Sequence, residues 1–427
     1  MRIRDWDSNL KVRLMGESLM NITYWMFFPF LAIYFSEEFG KELAGLLLIV
    51  SQLFSVMANL LGGYSADRIG RKKMMVLSSC GQGIAFFTFA MASSPWFDLP
   101  VLAFIAFAVV GVFGALYWPA SQAMVADVVE EKDRSDVFAI FYTSLNIAVV
   151  IGPILGGIFY VHYRFQLLLA ATAVCLLLSF VLYKWTRETS PAVLAKRTMQ
   201  TEKKEKWFHF LAAQIKDYGV IFKDTPFLLY ILAGILAGQT FMQLDLLIPV
   251  YTKEVFGTQT FFTFGDFTSK VNGEQAYGII LSENGLLVAI FTIAVTRWMN
   301  KFREQRVFML SSILYGGAIF WYGSVNSLWG MAAAMAVFTF AELMTAGLQQ
   351  SFISRLAPEK MRGQYFAASS LRFTFSRTLA PISIPFTVWF GYQTTFALLG
   401  LLALGSAFLY YIMFKKYETA RYKSMHG

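Results

Sequence analysis

The sequence predicts an all-α integral membrane protein, with twelve transmembrane helices in two six-helix bundles. Three observations lead there. Of 427 residues, 57% are hydrophobic and 15% charged, and the mean hydropathy is +0.53. That is more apolar surface than a water-soluble domain can cover. Apolar runs of about 20 residues, the length needed to cross a bilayer, recur along the chain. Finally, the basic residues alternate from loop to loop. Thirty of the 36 Lys and Arg fall in one alternate set of loops and in the two termini, against four (Lys41, Arg164, Lys253, Lys270) in the other set. This asymmetry is the positive-inside pattern, so both termini are expected in the cytoplasm. The net charge of +9 is thus a topology signal, and nucleic acid is not an expected partner.

The runs are read as helices because backbone groups in lipid must be satisfied within the segment. The first, 14–36, follows the basic start "MRIRDWDSNLKVR" and has no small-residue cleavage site after it, so it is a retained helix and not a signal peptide. The second, 43–66, ends in the basic loop "DRIGRKK", and 74–93, 99–126, 136–160 and 165–186 complete the first six. The longest polar stretch then intervenes, holding nine Lys and Arg between 184 and 225. Its second part carries Trp207, Phe208, Leu211, Ile215 and Tyr218 at near-helical spacing, the pattern of an amphipathic surface helix or of a partly ordered linker. The remaining spans are 226–252, 276–298, 307–325, 328–353, 363–388 and 393–414. The division is therefore an N-terminal bundle (1–186), a cytoplasmic linker (187–225), a C-terminal bundle (226–414) and a cytoplasmic tail (415–427). Two such bundles joined by a linker suit an alternating-access carrier with its site near the bilayer midplane.

Cys80 and Cys175 both fall within spans, and the three histidines lie in or beside loops. Neither a disulfide framework, nor a metal site, nor a catalytic residue is expected. No phosphate-binding loop appears, so ATP is not the expected energy source. No cofactor is expected, and a proton gradient is left to drive the chain.

The loop after the second span reads "LGGYSADRIGRKKM". Gly63, Asp67, Gly70, Arg71, Lys72 and Lys73 form a pattern that resembles the signature loop of the major facilitator superfamily. Glycines let helices approach, Gly70 permits a tight turn, and Asp67 is placed to face a helix N-terminus. The resemblance implies a conformational latch at the cytoplasmic face, with Asp127 as the partner of Arg71. The matching loop of the second half, "RWMNKFREQR", keeps the charges but loses the Gly/Asp pattern. In span five, "NIAVVIGPILGGIF" contains Gly152, Pro153, Gly156 and Gly157 and is similar to the antiporter signature of drug/proton exporters in that superfamily. The proline is expected to kink the helix, and the glycines to pack against the other half. Ala148 departs from the fuller signature, and span four lacks the arginine that many such exporters carry.

Charged groups inside apolar runs cost about 2.5–3.5 kcal/mol each on insertion scales, so they mark function. Asp245 in span seven, Glu283 in span eight, Glu342 in span ten and Arg377 in span eleven stand out, with Arg372 nearer the cytoplasm. Glu17, one turn into span one, ranks below them because it is able to snorkel. The segments "QLDLLIPVY" and "FAELMTAGLQQ" resemble drug/proton antiporters of the LmrP type, where acids at these two places are linked to proton coupling and to cationic drugs. Phe141 stands where such proteins have an acid. Withdrawal from water makes a carboxyl hold its proton more readily, so that proton and cation compete for it. Glu342 and Arg377 lie at similar depth, which leaves open an ion pair between them or an anion contact for Arg377. Tyr24, Trp25 and Phe28 in "NITYWMFFPF" are either a cavity wall for flat cations or packing.

The expectation is a monomeric secondary transporter of a bacterial cytoplasmic membrane, exporting amphiphilic cations in exchange for protons. Its partners would be that solute, protons and membrane lipids. A dedicated exporter of a zwitterionic or anionic metabolite or lipid headgroup, with Arg377 or Arg372 contacting the negative group, is the alternative.

Overall fold

The computed structural model describes residues 3–190, 224–264, 267–356, 365 and 368–426. Their apolar runs fold as helices, several interrupted where proline or glycine breaks the backbone ladder. Span one is α1 (Ser8–Phe27), a 3-10 turn over Phe28–Phe30 that contains Pro29, and α2 (Leu31–Phe39). There follow α3 (Lys41–Ile69), α4 (Arg71–Ala92), a two-residue hairpin β1–β2 (Ser93–Ser94 and Phe97–Asp98) and α5 (Pro100–Val128). Spans five and six share α6 (Glu131–Trp185), which breaks at Tyr163 (φ −128°, ψ 28°). Pro153 sits inside the helix, which continues on both sides of it.

Asp224 caps α7 (Thr225–Phe241) by accepting from Phe227 N, and Tyr365 OH donates to its other oxygen at 2.6 Å. A 3-10 turn (Met242–Asp245) separates α7 from α8 (Leu247–Phe256). The aromatic loop beyond it folds as an antiparallel hairpin, β3 (Thr258–Phe264) with β4 (Phe267–Asn272). Then come α9 (Gly273–Met299), α10 (Glu304–Tyr322), α11 (Leu328–Ala346), α12 (Leu348–Leu356) and α13 (Leu371–Leu379). A 3-10 turn (Ala380–Ile382) leads into α14 (Ser383–His426), which breaks at Gly391 (φ 76°) and continues through the segment expected as a tail. Among the described residues, ten helical stretches are long and apolar enough to cross a membrane. One of them, Leu371–Thr419, holds two spans, and the more polar α10 completes the predicted twelve.

The chain divides into two compact units, Met1–Phe39 with Val50–Leu211 and Gly40–Ile49 with Ala212–Gly427. The amphipathic pattern at 207–218 lies outside the described residues. In the first unit α1 packs along α6, and α4 against α5 and α6. In the second, α14 packs against α7 and α10, and α9 against α11. Phe227, Tyr230, Phe308, Phe352, Tyr410 and Phe414 form an aromatic core there.

The glycines of span five face a different neighbour from the one expected. A Cβ on Gly152 would collide with Trp25, and one on Gly156 with the carbonyl of Met26. The motif therefore seats α6 on α1 within one unit, where small residues allow the backbones to touch. Gly156→Leu is expected to cost about 1–3 kcal/mol by overpacking, read as a lower thermal midpoint of the purified protein. A substitution with no effect would show that this contact is dispensable.

Candidate functional site

The second unit contains a cavity of about 280 Å³, whose lining includes Glu342, Gln349, Arg372, Tyr315, Ser311 and Phe241. Glu342 projects from α11 towards α9. Asn284 Nδ2 donates to Glu342 Oε2 at 3.1 Å and to Thr339 Oγ1 at 2.9 Å. No ion pair reaches Glu342 among the described residues. Arg372 Nη2 donates to Gln349 Oε1 at 3.3 Å, and the guanidinium stands 4.6 Å from the Tyr230 ring centroid.

The pairing of Glu342 with Arg377 does not form. Residues five apart on a helix point about 140° apart, so with Arg372 at the cavity, Arg377 turns away and is exposed. Among the described residues no ion pair joins it to Asp245 either. Asp245 ends the 3-10 turn of span seven, and its Oδ1 is buried with no hydrogen-bond partner. Around it runs a polar seam in which Ser383 Oγ donates to Gln243 Oε1 at 2.6 Å and Gln243 Nε2 to Gln239 O at 2.7 Å. Glu283 is half-buried, next to Asn284 in sequence, and does not line the cavity.

In the first unit, sequence reasoning missed a buried cluster. Arg13 is 1% exposed and Glu17 7%, so neither snorkels. Arg13 Nε donates to Glu17 Oε1 at 2.7 Å, as does Tyr117 OH at 2.7 Å, while Ser121 Oγ does so at 3.2 Å. Arg13 Nη2 also donates to Ser121 Oγ. The signal was present as an Arg–Glu pair four residues apart, but Arg13 was counted with the basic N-terminus.

The signature loop is built around Gly70, whose φ of 111° only glycine adopts readily. The structure brings Arg71 and Asp127 together, with Nε 3.0 Å from Oδ2. Thr189 Oγ1 donates to the same oxygen at 3.0 Å, and Arg71 Nη1 donates to Ser190 Oγ at 2.8 Å. The carboxylate over the N-terminus of α4 belongs to Glu188, which accepts from the backbone N–H of Arg71 at 2.8 Å and of Ser190 at 3.0 Å. A negative charge there is favourable. Asp67 and Gly63 lie on α3, and their side-chain surroundings are outside the described residues. Tyr24 and Phe28 stack at 4.6 Å with Trp25 edge-on to Phe28 at 5.9 Å. All three are partly exposed and lie in the first unit.

The family model described as Major Facilitator Superfamily matches residues 14–269 and 260–424, nearly the whole chain. The chain belongs to the major facilitator superfamily. It is thus a multi-pass membrane transporter and not an enzyme. Over 418 residues it is 56% identical to a "Na(+), Li(+), K(+)/H(+) antiporter" of Planococcus maritimus, covering 98% of each chain. A more distant superfamily relative is the "Multidrug resistance protein MdtH" of Shigella boydii, 24% identical over 84% of this chain and 81% of that one. Among solved structures, a POT family transporter in complex with 5-aminolevulinic acid superposes with a TM-score of 0.74, over 95% of this chain and 96% of that one. At 17% identity that likeness concerns the fold alone.

Proposed function

We propose that this major facilitator carrier exchanges monovalent cations for protons across a bacterial cytoplasmic membrane, with both termini inside. One observation carries the reading: the second unit places two partly exposed carboxylates, Asp245 and Glu342, within its apolar helices, and among the described residues neither is held in an ion pair. Such acids inside a membrane bundle are costly and mark function, and each is open to a proton or a cation in turn. The name of the 56%-identical Planococcus relative supports alkali cations. The proton gradient supplies the energy without a cofactor, and one chain, holding both units, is the working monomer.

A second reading, exchange of amphiphilic cations, draws support from the cavity. Phe241, Phe308, Phe373 and Tyr410 line the cavity together with Glu342, its single carboxylate, a composition that suits an organic cation. The zwitterion alternative keeps Arg372, which lines that space, while Arg377 does not.

The test uses purified protein in liposomes loaded with a pH-sensitive dye under an imposed proton gradient. Addition of Na⁺, Li⁺ or K⁺ is expected to collapse the gradient. Collapse by tetraphenylphosphonium alone would favour the second reading, and collapse by neither would sink both.

The Arg71–Asp127 pair is read as the latch. Asp127→Asn is expected to slow exchange several-fold while cation binding at equilibrium stays unchanged. Unchanged exchange rates would remove the latch role.

A further inference from the structure

Span seven is interrupted inside the second unit. α7 stops at Phe241, the 3-10 turn runs from Met242 to Asp245, and Leu246 (φ −121°, ψ −79°) leaves the helical region before α8 begins. A second interruption, Ala380–Ile382 in span eleven, lies against it, because Ser383 Oγ donates to Gln243 Oε1 at 2.6 Å. Each break is followed or occupied by a proline, which has no N–H to give. Pro249 leaves the carbonyl of Asp245 without its helical donor four residues on, and Pro381 does the same to Arg377.

The other carbonyls of the turn are occupied. Tyr277 OH donates to Leu244 O at 2.9 Å, and Leu246 N to Gln243 O at 3.3 Å. Asp245 is different. Its Oδ1 is buried without a partner, and its own carbonyl has lost the helical donor. An unpaired oxygen in a membrane interior costs several kcal/mol, and this residue carries one, beside a carbonyl whose helical donor the proline has removed. Oxygen atoms so placed suit a hard cation, and unwound backbone within a spanning helix is a recurrent place for one.

We propose that the break in span seven is an alkali-cation site, in which the carboxylate and backbone carbonyl of Asp245 hold a dehydrated Na⁺, Li⁺ or K⁺. The proposal rests on the cation/proton reading above and gives the cation its place. Protonated Asp245 cannot coordinate the ion, so the site empties as the pH falls.

The experiment measures ²²Na⁺ binding to purified carrier in detergent, with unlabelled Li⁺ and K⁺ as competitors. Wild type is expected to bind saturably at alkaline pH and to lose the ion on acidification. Asp245→Asn should lose binding. Pro249→Ala leaves the carboxylate intact but restores an N–H for the Asp245 carbonyl, and should weaken binding by about tenfold, as loss of a supporting ligand does. It also provides the readout should Asp245→Asn fail to fold, as judged by its size-exclusion profile. Wild-type affinity in both variants would overturn the site while leaving cation exchange intact. A wild type that neither binds nor exchanges any alkali cation would overturn the functional reading, and the site with it.

Discussion

Glu342→Gln is expected to abolish proton movement by the carrier while leaving it folded. The amide keeps the shape of the side chain and still accepts from Asn284, whose Nδ2 lies 3.1 Å from Oε2. It cannot gain or lose a proton. In liposomes with an imposed pH gradient, addition of cation should then leave the dye signal at the level of empty vesicles. The same protein should elute as wild type from a sizing column, because no ion pair has been broken. Full proton exchange in this variant would mean that Glu342 is a structural member of the Asn284–Thr339 network, and coupling would have to pass through Asp245 alone.

The largest loss of stability is expected for Glu17→Ala. Four hydrogen-bond donors converge on that carboxylate, two from Arg13 and one each from Tyr117 and Ser121. Removing it leaves the Arg13 guanidinium charged, buried and without a counter-ion. Breaking a buried pair in this way costs about 3–5 kcal/mol. Thermal unfolding in detergent should show the drop, with a smaller one for Glu17→Gln, which retains an acceptor oxygen. The double variant Arg13→Met with Glu17→Leu should recover much of the loss, since replacing both charges by apolar side chains is often neutral. A Glu17→Ala protein as stable as wild type would show that water reaches Arg13.

Helix number was legible because hydropathy and the alternation of basic loops each report it independently. Asp245 and Glu342 were legible as well, since a carboxylate in an apolar run stands out. What a span touches was not. Depth along two helices placed Glu342 beside Arg377, but depth carries no information about azimuth, and Asn284 took that place. The glycines of span five marked a close approach without naming the neighbour, which is α1. The Glu17 cluster depends on Tyr117 and Ser121, about a hundred residues away, and neither is unusual in its own segment. The carboxylate over α4 comes from Glu188, beyond span six. In each case the chemistry was visible one residue at a time and the partner came from the fold.

Glu188 and Asp224 also bear on how the polypeptide is moored between the halves. The first ties the backbone around Thr189 and Ser190 to the start of α4, by N–H bonds of 2.8–3.0 Å. The second caps α7 and holds Tyr365. Each anchor is a single carboxylate that accepts from a backbone N–H at a helix start, Glu188 at α4 and Asp224 at α7. The two ends of the connecting stretch are therefore each fastened to a helix N-terminus of their own unit, where a negative charge is favoured.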